Sequence, residues 1–242
     1  MKKRSLSLLV AALLLASVSC KHNNDKTPED KVWLHRVNTI EKAQYYQHDY
    51  PGFEIDLHYI DSLQDFLIEH DATEGSTLTF DEWCAALENV STMGLWLDFK
   101  NLTDQNREAA AQRLVALRNK HKLQGKMYVE SPMYANLSVF QNEGFLVSYY
   151  IPYFNPNNLD SAQYQRLLKW TNDAISTGVN AISGDYIQYD FMKKEFPDHT
   201  KLIWTTVLDT TFHRTVLDQL NADPTVDVIL LPNENPIPQP HE

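Results

Sequence analysis

The sequence predicts a compact, closed (β/α)8 barrel of the TIM type, an α/β fold, and three observations carry that expectation. Eight short apolar runs alternate with helical patterns from Lys31 onward. The polar residues that interrupt those runs fall at their C-terminal ends, where such barrels keep their chemistry. The composition, 43% hydrophobic with 11% aromatic over 242 residues, is that of a globular chain with one large core. About 210 residues for eight units leaves only short connections. An open α/β sheet with fewer strands is the alternative arrangement.

Residues 1–20 stand apart from the fold. Lys2, Lys3 and Arg4 precede an apolar stretch, and small residues follow up to Cys20. That pattern predicts an export signal, too short to span a membrane stably. It also resembles a bacterial lipoprotein signal, which implies that Cys20 is lipidated and becomes the mature N-terminus, a simple secretory signal being the alternative. Residues 21–30 are polar and read as a tether, and 31–242 as a single barrel domain. The expected location is outside the cytoplasm, lipid-anchored in the bacterial cell envelope. Removing Lys2, Lys3 and Arg4 from the 21 basic residues leaves 18 against 32 acidic ones, a net charge of −14. Such a surface repels nucleic acid and anionic headgroups, so a phosphate-bearing ligand needs a local positive centre. Cys84, left without an intrachain partner, reads as a buried helical thiol.

The run over 32–38 leads into a helix, with Asn38 as its cap and Glu41 in the capping-box position. The second strand, 52–58, alternates Glu54, Asp56 and His58 with Phe53, Ile55 and Leu57, so the three polar groups share one face. Two carboxylates about 6–7 Å apart on such a strand repel each other unless a cation lies between them. The plainer reading is an amphipathic strand with a wet face. A strand-like segment, 65–69, delivers His70-Asp71, and Thr79 caps a helix over 80–87. The third strand, 94–100, is apolar until Asp98 and Lys100. Thr103 caps a helix carrying Ala110, Leu114, Leu117 and His121 on one side.

A fourth strand over 126–130 ends in Glu130, followed by a helix near 135–141, and a fifth strand spans 145–150. The next helix presents Tyr164, Leu167, Leu168, Thr171 and Ile175. Strands over 179–183, 201–207 and 226–231 complete the set, with helices near 187–196 and 212–220 between them. Strand ends thus gather His35, Glu54, Asp56, Asp98, Lys100, Glu130, Asp185 and Trp204.

Glu54, Asp56 and Asp98 offer three oxygen ligands from adjacent strands. Hard oxygen donors without a cysteine or paired-histidine pattern favour Mg2+ or Ca2+ over zinc. Such a cation with Lys100 would neutralise a phosphodiester. His35 and His70 can then serve as a general acid and base on opposite sides of phosphorus. Glycoside hydrolysis ranks low, because Glu130 has no carboxylate partner where Trp204 stands.

His35-Arg36, Glu54-x-Asp56, His70-Asp71, Asp98-x-Lys100, Trp204 and the run over 226–232 together resemble the glycerophosphodiester phosphodiesterase-like superfamily of phospholipase C-type barrels. The resemblance spans about 32–236. Its Asp-x-Lys form and His-Arg-Val-Asn are closest to the menorin and sphingomyelinase D branches. It implies a metal at Glu54, Asp56 and Asp98, and an acid–base pair in His35 and His70. Substrate contacts would come from Arg36 and Lys100 to phosphate oxygens, with Trp204 walling the pocket and Glu130 at the fourth strand end. The implied substrates are small phosphodiesters of glycerophosphodiester or lysophospholipid type, hydrolysed or cyclised. A catalytically silent barrel acting as a surface binding or assembly module is the competing reading. Three features depart from the family: Val37 stands for its usual glycine, Asn38-Thr39 is all that remains of its Glu-Asn-Thr signature, and the Asp-Gly turn before the second histidine is missing.

Overall fold

Alternate residues of each strand separate into two cores, and that separation closes the sheet. On β4 (Gly94–Phe99), Leu95, Leu97 and Phe99 join the large core under the helices, whereas Trp96 joins a small inner cluster with Trp33, Tyr128, Ala181, Leu202, Val228 and Leu230. A strand with one face inside a barrel and one under helices needs that period of two. The computed structural model describes residues 30–205 and 210–232. In it, β1 (Val32–Leu34), β2 (Gly52–Ile60), β4, β5 (Met127–Ser131), β6 (Leu146–Tyr150), β7 (Ala181–Asp185), β8 (Thr200–Trp204) and β9 (Val226–Leu231) run parallel. Leu34 opposite Phe53 and Val32 opposite Ile229 close the barrel. The expected eight-stranded barrel is what the chain forms.

A ninth strand, β3 (Asp65–Ile68), turns back antiparallel on β2, pairing Ile60 with Asp65 and Leu57 with Ile68. The helices are α1 (Ile40–Tyr46), α2 (Phe80–Ala85), α3 (Arg107–His121), α4 (Ser138–Asn142), α5 (Ser161–Ser176), α6 (Tyr189–Glu195) and α7 (Thr210–Ala222). Ala110, Leu114 and Leu117 are buried on α3, and Leu167 and Thr171 on α5, as their spacing predicts. His121 instead meets Asp81 at 2.7 Å, where Arg113 and Lys120 also converge. Cys84 is a buried free thiol whose ionisation burial pushes upward.

Several boundaries differ from expectation. Thr39, not Asn38, caps α1, accepting from the Lys42 N–H. Asn106 stands at the N-cap of α3, and Thr103 hydrogen-bonds Asn106 one turn earlier. Asp185 accepts from the Ile187 N–H at 2.8 Å and starts a short 3-10 turn rather than facing the pocket. The signal with Cys20, tether residues 21–29 and positions 206–207 of the seventh expected strand lie outside the described residues. Among the described residues no helix is long and apolar enough to cross a membrane.

Trp33 plugs the N-terminal end of the barrel between Gly52 and Gly94, where a Cβ would overlap its ring. Its indole N–H donates to the Asp30 carbonyl at 3.2 Å. Gly94→Ala is therefore expected to destabilise the fold by about 1–3 kcal/mol through overpacking, read from urea unfolding. Pairing it with Trp33→Phe should recover part of that loss, and simple additivity of the two changes would contradict the contact.

Candidate active site

At the opposite, C-terminal end of the barrel a cavity of ≈ 240 Å³ opens between strands β1, β2, β4, β5, β6, β8 and β9. Strand register brings its acids together: Glu54 lies opposite Trp96, Asp56 opposite Asp98, and Asp98 opposite Glu130. Donor oxygens of Glu54, Asp56 and Asp98 all lie within 4.8 Å of one another. Lys100 reaches across the rim to Asp56 at 2.7 Å and to Asp98. One lysine among three carboxylates leaves the cluster anionic. Burial, then Asp56 and Asp98, push the Glu54 carboxyl well above its ordinary range. The Asp98 carboxyl is also raised, by burial first, with Asp56 adding to the shift and Lys100 opposing it. Hard oxygen donors this close, and this reluctant to ionise together, fit a divalent cation.

The loop after β1 supplies the next groups. Arg36 adopts φ 52°, and its backbone N–H donates to Glu54 Oε2 at 2.7 Å. The left-handed residue is thus Arg36, while Val37 packs fully buried with its N–H on the Glu54 carbonyl. Valine in place of glycine therefore costs no backbone strain here. Lys42 Nζ donates to the carbonyls of both His35 and Arg36 at 2.9 Å and ties the loop to α1. His35 Nε2 stands 3.5 Å from Glu54 Oε2, its ring beside Trp204. Burial first, and then Arg36, lower its pKa to about 3, so the imidazole is neutral at physiological pH.

The β2–β3 hairpin brings in the second histidine. Its turn places Gln64 at φ 50°, which does the work of the missing Asp-Gly pair. The Glu69 N–H then donates to the Asp56 carbonyl at 3.3 Å, and His58 Nδ1 meets the Glu69 carbonyl at 3.2 Å. His58 thus leaves the metal face and anchors the segment that carries His70. His70 lines the pocket with Nε2 3.0 Å from Arg36 Nη2 and Nδ1 3.2 Å from Asp71. Because a guanidinium only donates, Nε2 accepts there and Nδ1 carries the proton toward Asp71.

All nine predicted catalytic, metal and substrate positions (His35, Arg36, Glu54, Asp56, His70, Asp98, Lys100, Glu130 and Trp204) line this one cavity. Trp96, Pro132, Tyr150 and Leu230 also line it, although their sequence context marks them only as strand or loop residues. Asn38, expected to cap the helix, instead binds Asp56: its Nδ2 donates to Asp56 Oδ2 at 2.6 Å, and its Oδ1 accepts from the Asp56 N–H at 3.1 Å. Its place three residues after His35, within the Asn38-Thr39 remnant of the Glu-Asn-Thr signature, is the sequence signal that points to it.

Glu130 is 2% exposed, and burial, reinforced by Asp98, pushes its carboxyl up to about 8 from an ordinary 4.5. Between those values the folded chain keeps a proton that the unfolded chain has lost, so this contribution to stability is full below 4.5 and lost as pH rises through 8. Glu54 acts in the same direction. His35 acts oppositely, removing stability only as pH falls from 6.5 toward 3. In chelator, the melting temperature should therefore fall from pH 6.5 to 8, by about 3–5 °C per pH unit for each retained proton. Glu130→Gln should flatten the slope, and a rising Tm across that window would contradict the assignment.

The fold and pocket define a class: a (β/α)8 barrel with a carboxylate-rich, histidine-flanked pocket at its C-terminal mouth. No protein-family model and no curated protein matches the sequence. Among solved structures, the chain resembles an Oleispira antarctica phosphodiesterase in complex with the product sn-glycerol-3-phosphate (13% identity, TM-score 0.56, 84% of this chain and 92% of that one). A Galdieria sulphuraria protein assigned as a glycerophosphodiester phosphodiesterase is similar at 15% identity and TM-score 0.59, over 83% and 92% of the two chains. A calcium-dependent phosphoinositol-specific phospholipase C from Pseudomonas sp. matches at 12% identity and TM-score 0.52, over 83% and 88%. The fold is the one these phosphodiesterases use.

Proposed function

We propose that the chain is a metal-dependent phosphodiesterase of the glycerophosphodiester phosphodiesterase-like superfamily. Its substrates are small phosphodiesters of glycerophosphodiester or lysophospholipid type, and it works from the bacterial cell envelope, held there by lipid on Cys20. One observation carries the reading: three carboxylates, two histidines, an arginine and a lysine converge in a single pocket at the C-terminal mouth of this barrel. Met133, Tyr153 and Ile187, exposed on the segments after β5, β6 and β7, add support for a substrate with an apolar tail.

Glu54, Asp56 and Asp98 would hold Mg2+ or Ca2+, which when bound supplies positive charge against the phosphoryl oxygens. Asn38 fixes the Asp56 carboxylate through two hydrogen bonds. Arg36 binds phosphate as a fork and Lys100 as a point charge. Kept neutral by burial, His35 takes the proton from the attacking hydroxyl, whether water or a neighbouring hydroxyl of the substrate. As Arg36 turns to the phosphate it frees His70 Nε2 to take up a proton from solvent, and the imidazolium, its Nδ1–H held by Asp71, hands that proton to the leaving alcohol. Attack by a substrate hydroxyl gives a cyclic phosphate, and attack by water a monoester.

Assays on bis-p-nitrophenyl phosphate and glycerophosphocholine test the reading. Turnover should require Mg2+ or Ca2+ and vanish in EDTA. Turnover of neither substrate with either metal would contradict it and leave a barrel that only binds.

A further inference from the structure

A second cavity, of ≈ 310 Å³, opens at the N-terminal end of the barrel, between the last turn of α3, the turn after α4 and the first residues of β5 and β6. Leu123, Met127, Phe145 and Leu146 supply its apolar wall, Arg118 and Lys126 its charge, and no acidic residue lines it. The mouth at the other end has four carboxylates in its wall. The sequence carries the same contrast: in a chain of net charge −11, residues 109–129 hold Arg113, Arg118, Lys120, Lys122 and Lys126 and neither Asp nor Glu. Lys126 is held by both Asp227 oxygens at 2.8 Å, and the Tyr128 hydroxyl donates to Asp227 at 2.7 Å. The other arginines of α3 each meet a carboxylate, Arg107 at Glu108 and Arg113 at Asp65. Arg118 meets none among the described residues. Its Nη1 donates to the Glu143 carbonyl at 2.8 Å, and its guanidinium lies over the Phe145 ring, 4.3 Å from the centroid. Gly144, at φ 84°, makes the turn after α4 that brings both partners to it. A guanidinium fixed by one bond and a ring keeps its remaining N–H groups for a ligand.

We propose that this cavity binds a small organic carboxylate, its carboxylate on Arg118 and its short apolar body against Met127, Phe145 and Leu146. The planar fork of a guanidinium matches the two oxygens of a carboxylate with parallel N–H···O bonds. Lys126 and Asp227 cancel, so the cavity carries the single uncompensated charge of Arg118 and suits a monoanion better than a phosphate dianion. Four apolar side chains in the wall favour an organic anion over a hydrated inorganic one. The site lies at the far end of the barrel from Glu54, Asp56 and Asp98 and does not depend on the phosphodiesterase reading of the mouth.

Methyl 1H–13C spectra of protein labelled at methionine test the site, because Met127 lines this cavity and Met133 stands exposed on the segment after β5. Hexanoate and 1-hexanol, titrated in EDTA, differ in the charged group. Hexanoate should move the Met127 methyl to saturation and bind at least about tenfold more tightly than hexanol, the scale of a charge-assisted hydrogen-bonded pair. Arg118→Gln should remove that preference. Lys126→Gln, which leaves Asp227 facing the ligand, should weaken hexanoate by a similar factor and leave hexanol unchanged, and it keeps the test sharp should Arg118→Gln loosen α4. A Met127 methyl that hexanoate does not move, movement confined to Met133, equal affinities for the two probes, or an unchanged preference in both variants would each overturn the site.

Discussion

His35→Ala is expected to lower kcat on a phosphodiester by about 10²–10⁴-fold, the range general acid–base groups supply, with the folded state intact. The ring sits 3.5 Å from Glu54, beside Trp204, and is held neutral by burial at the pH where a base is needed. Its backbone is secured independently by Lys42 and by the β9 contact of its N–H with the Leu231 carbonyl at 3.1 Å. Losing the imidazole therefore removes chemistry without freeing the loop. Circular dichroism and a thermal melt alongside the assay separate the two effects. Activity within threefold of wild type in a folded variant would remove His35 from the mechanism.

The second large effect is on stability. Glu54, Asp56 and Asp98 converge on one another with Lys100 between them, so a divalent cation held there would relieve their repulsion and bind the folded state alone. A metal present at about 100 times its Kd stabilises by about 2.7 kcal/mol. For a domain of this size that is about 5–10 °C in melting temperature. Asp56→Asn should abolish the shift, while its metal-free melting temperature stays near wild type or rises as the repulsion falls. An equal metal-induced shift in wild type and variant would move the cation elsewhere. The exposed group of His70, Asp71 and Glu74 is the other place among the described residues where three such donors meet.

Most of the barrel and most of the site were legible, for one reason. A strand's period of two turns a local spelling such as Glu54-Ile-Asp56 into a statement about facing, and strand ends in a parallel barrel are close by construction. What escaped depends on contacts distant in sequence. Asn38 spells a helix cap before Glu41 as well as it spells a ligand to Asp56, and only the pairing 18 residues away decides. His58 looked like a third member of the polar row until β3 folded back over it. Lys201 sits in the seventh strand as a charged residue that would ordinarily be exposed. It is fully buried, its ammonium donating to the carbonyls of Phe196 at 2.9 Å and His199 at 2.8 Å and to Thr225 Oγ1 at 2.9 Å. Those acceptors come from loops whose paths the sequence does not spell.

The most direct measurement is 31P NMR of glycerophosphocholine incubated with the protein, with Mg2+ or Ca2+ and with EDTA. The pocket chemistry predicts that the diester resonance gives way to a cyclic phosphate or a monoester when metal is present, and persists in EDTA and in His35→Ala. An unchanged diester signal with both metals, from folded protein that binds them, would contradict the phosphodiesterase assignment.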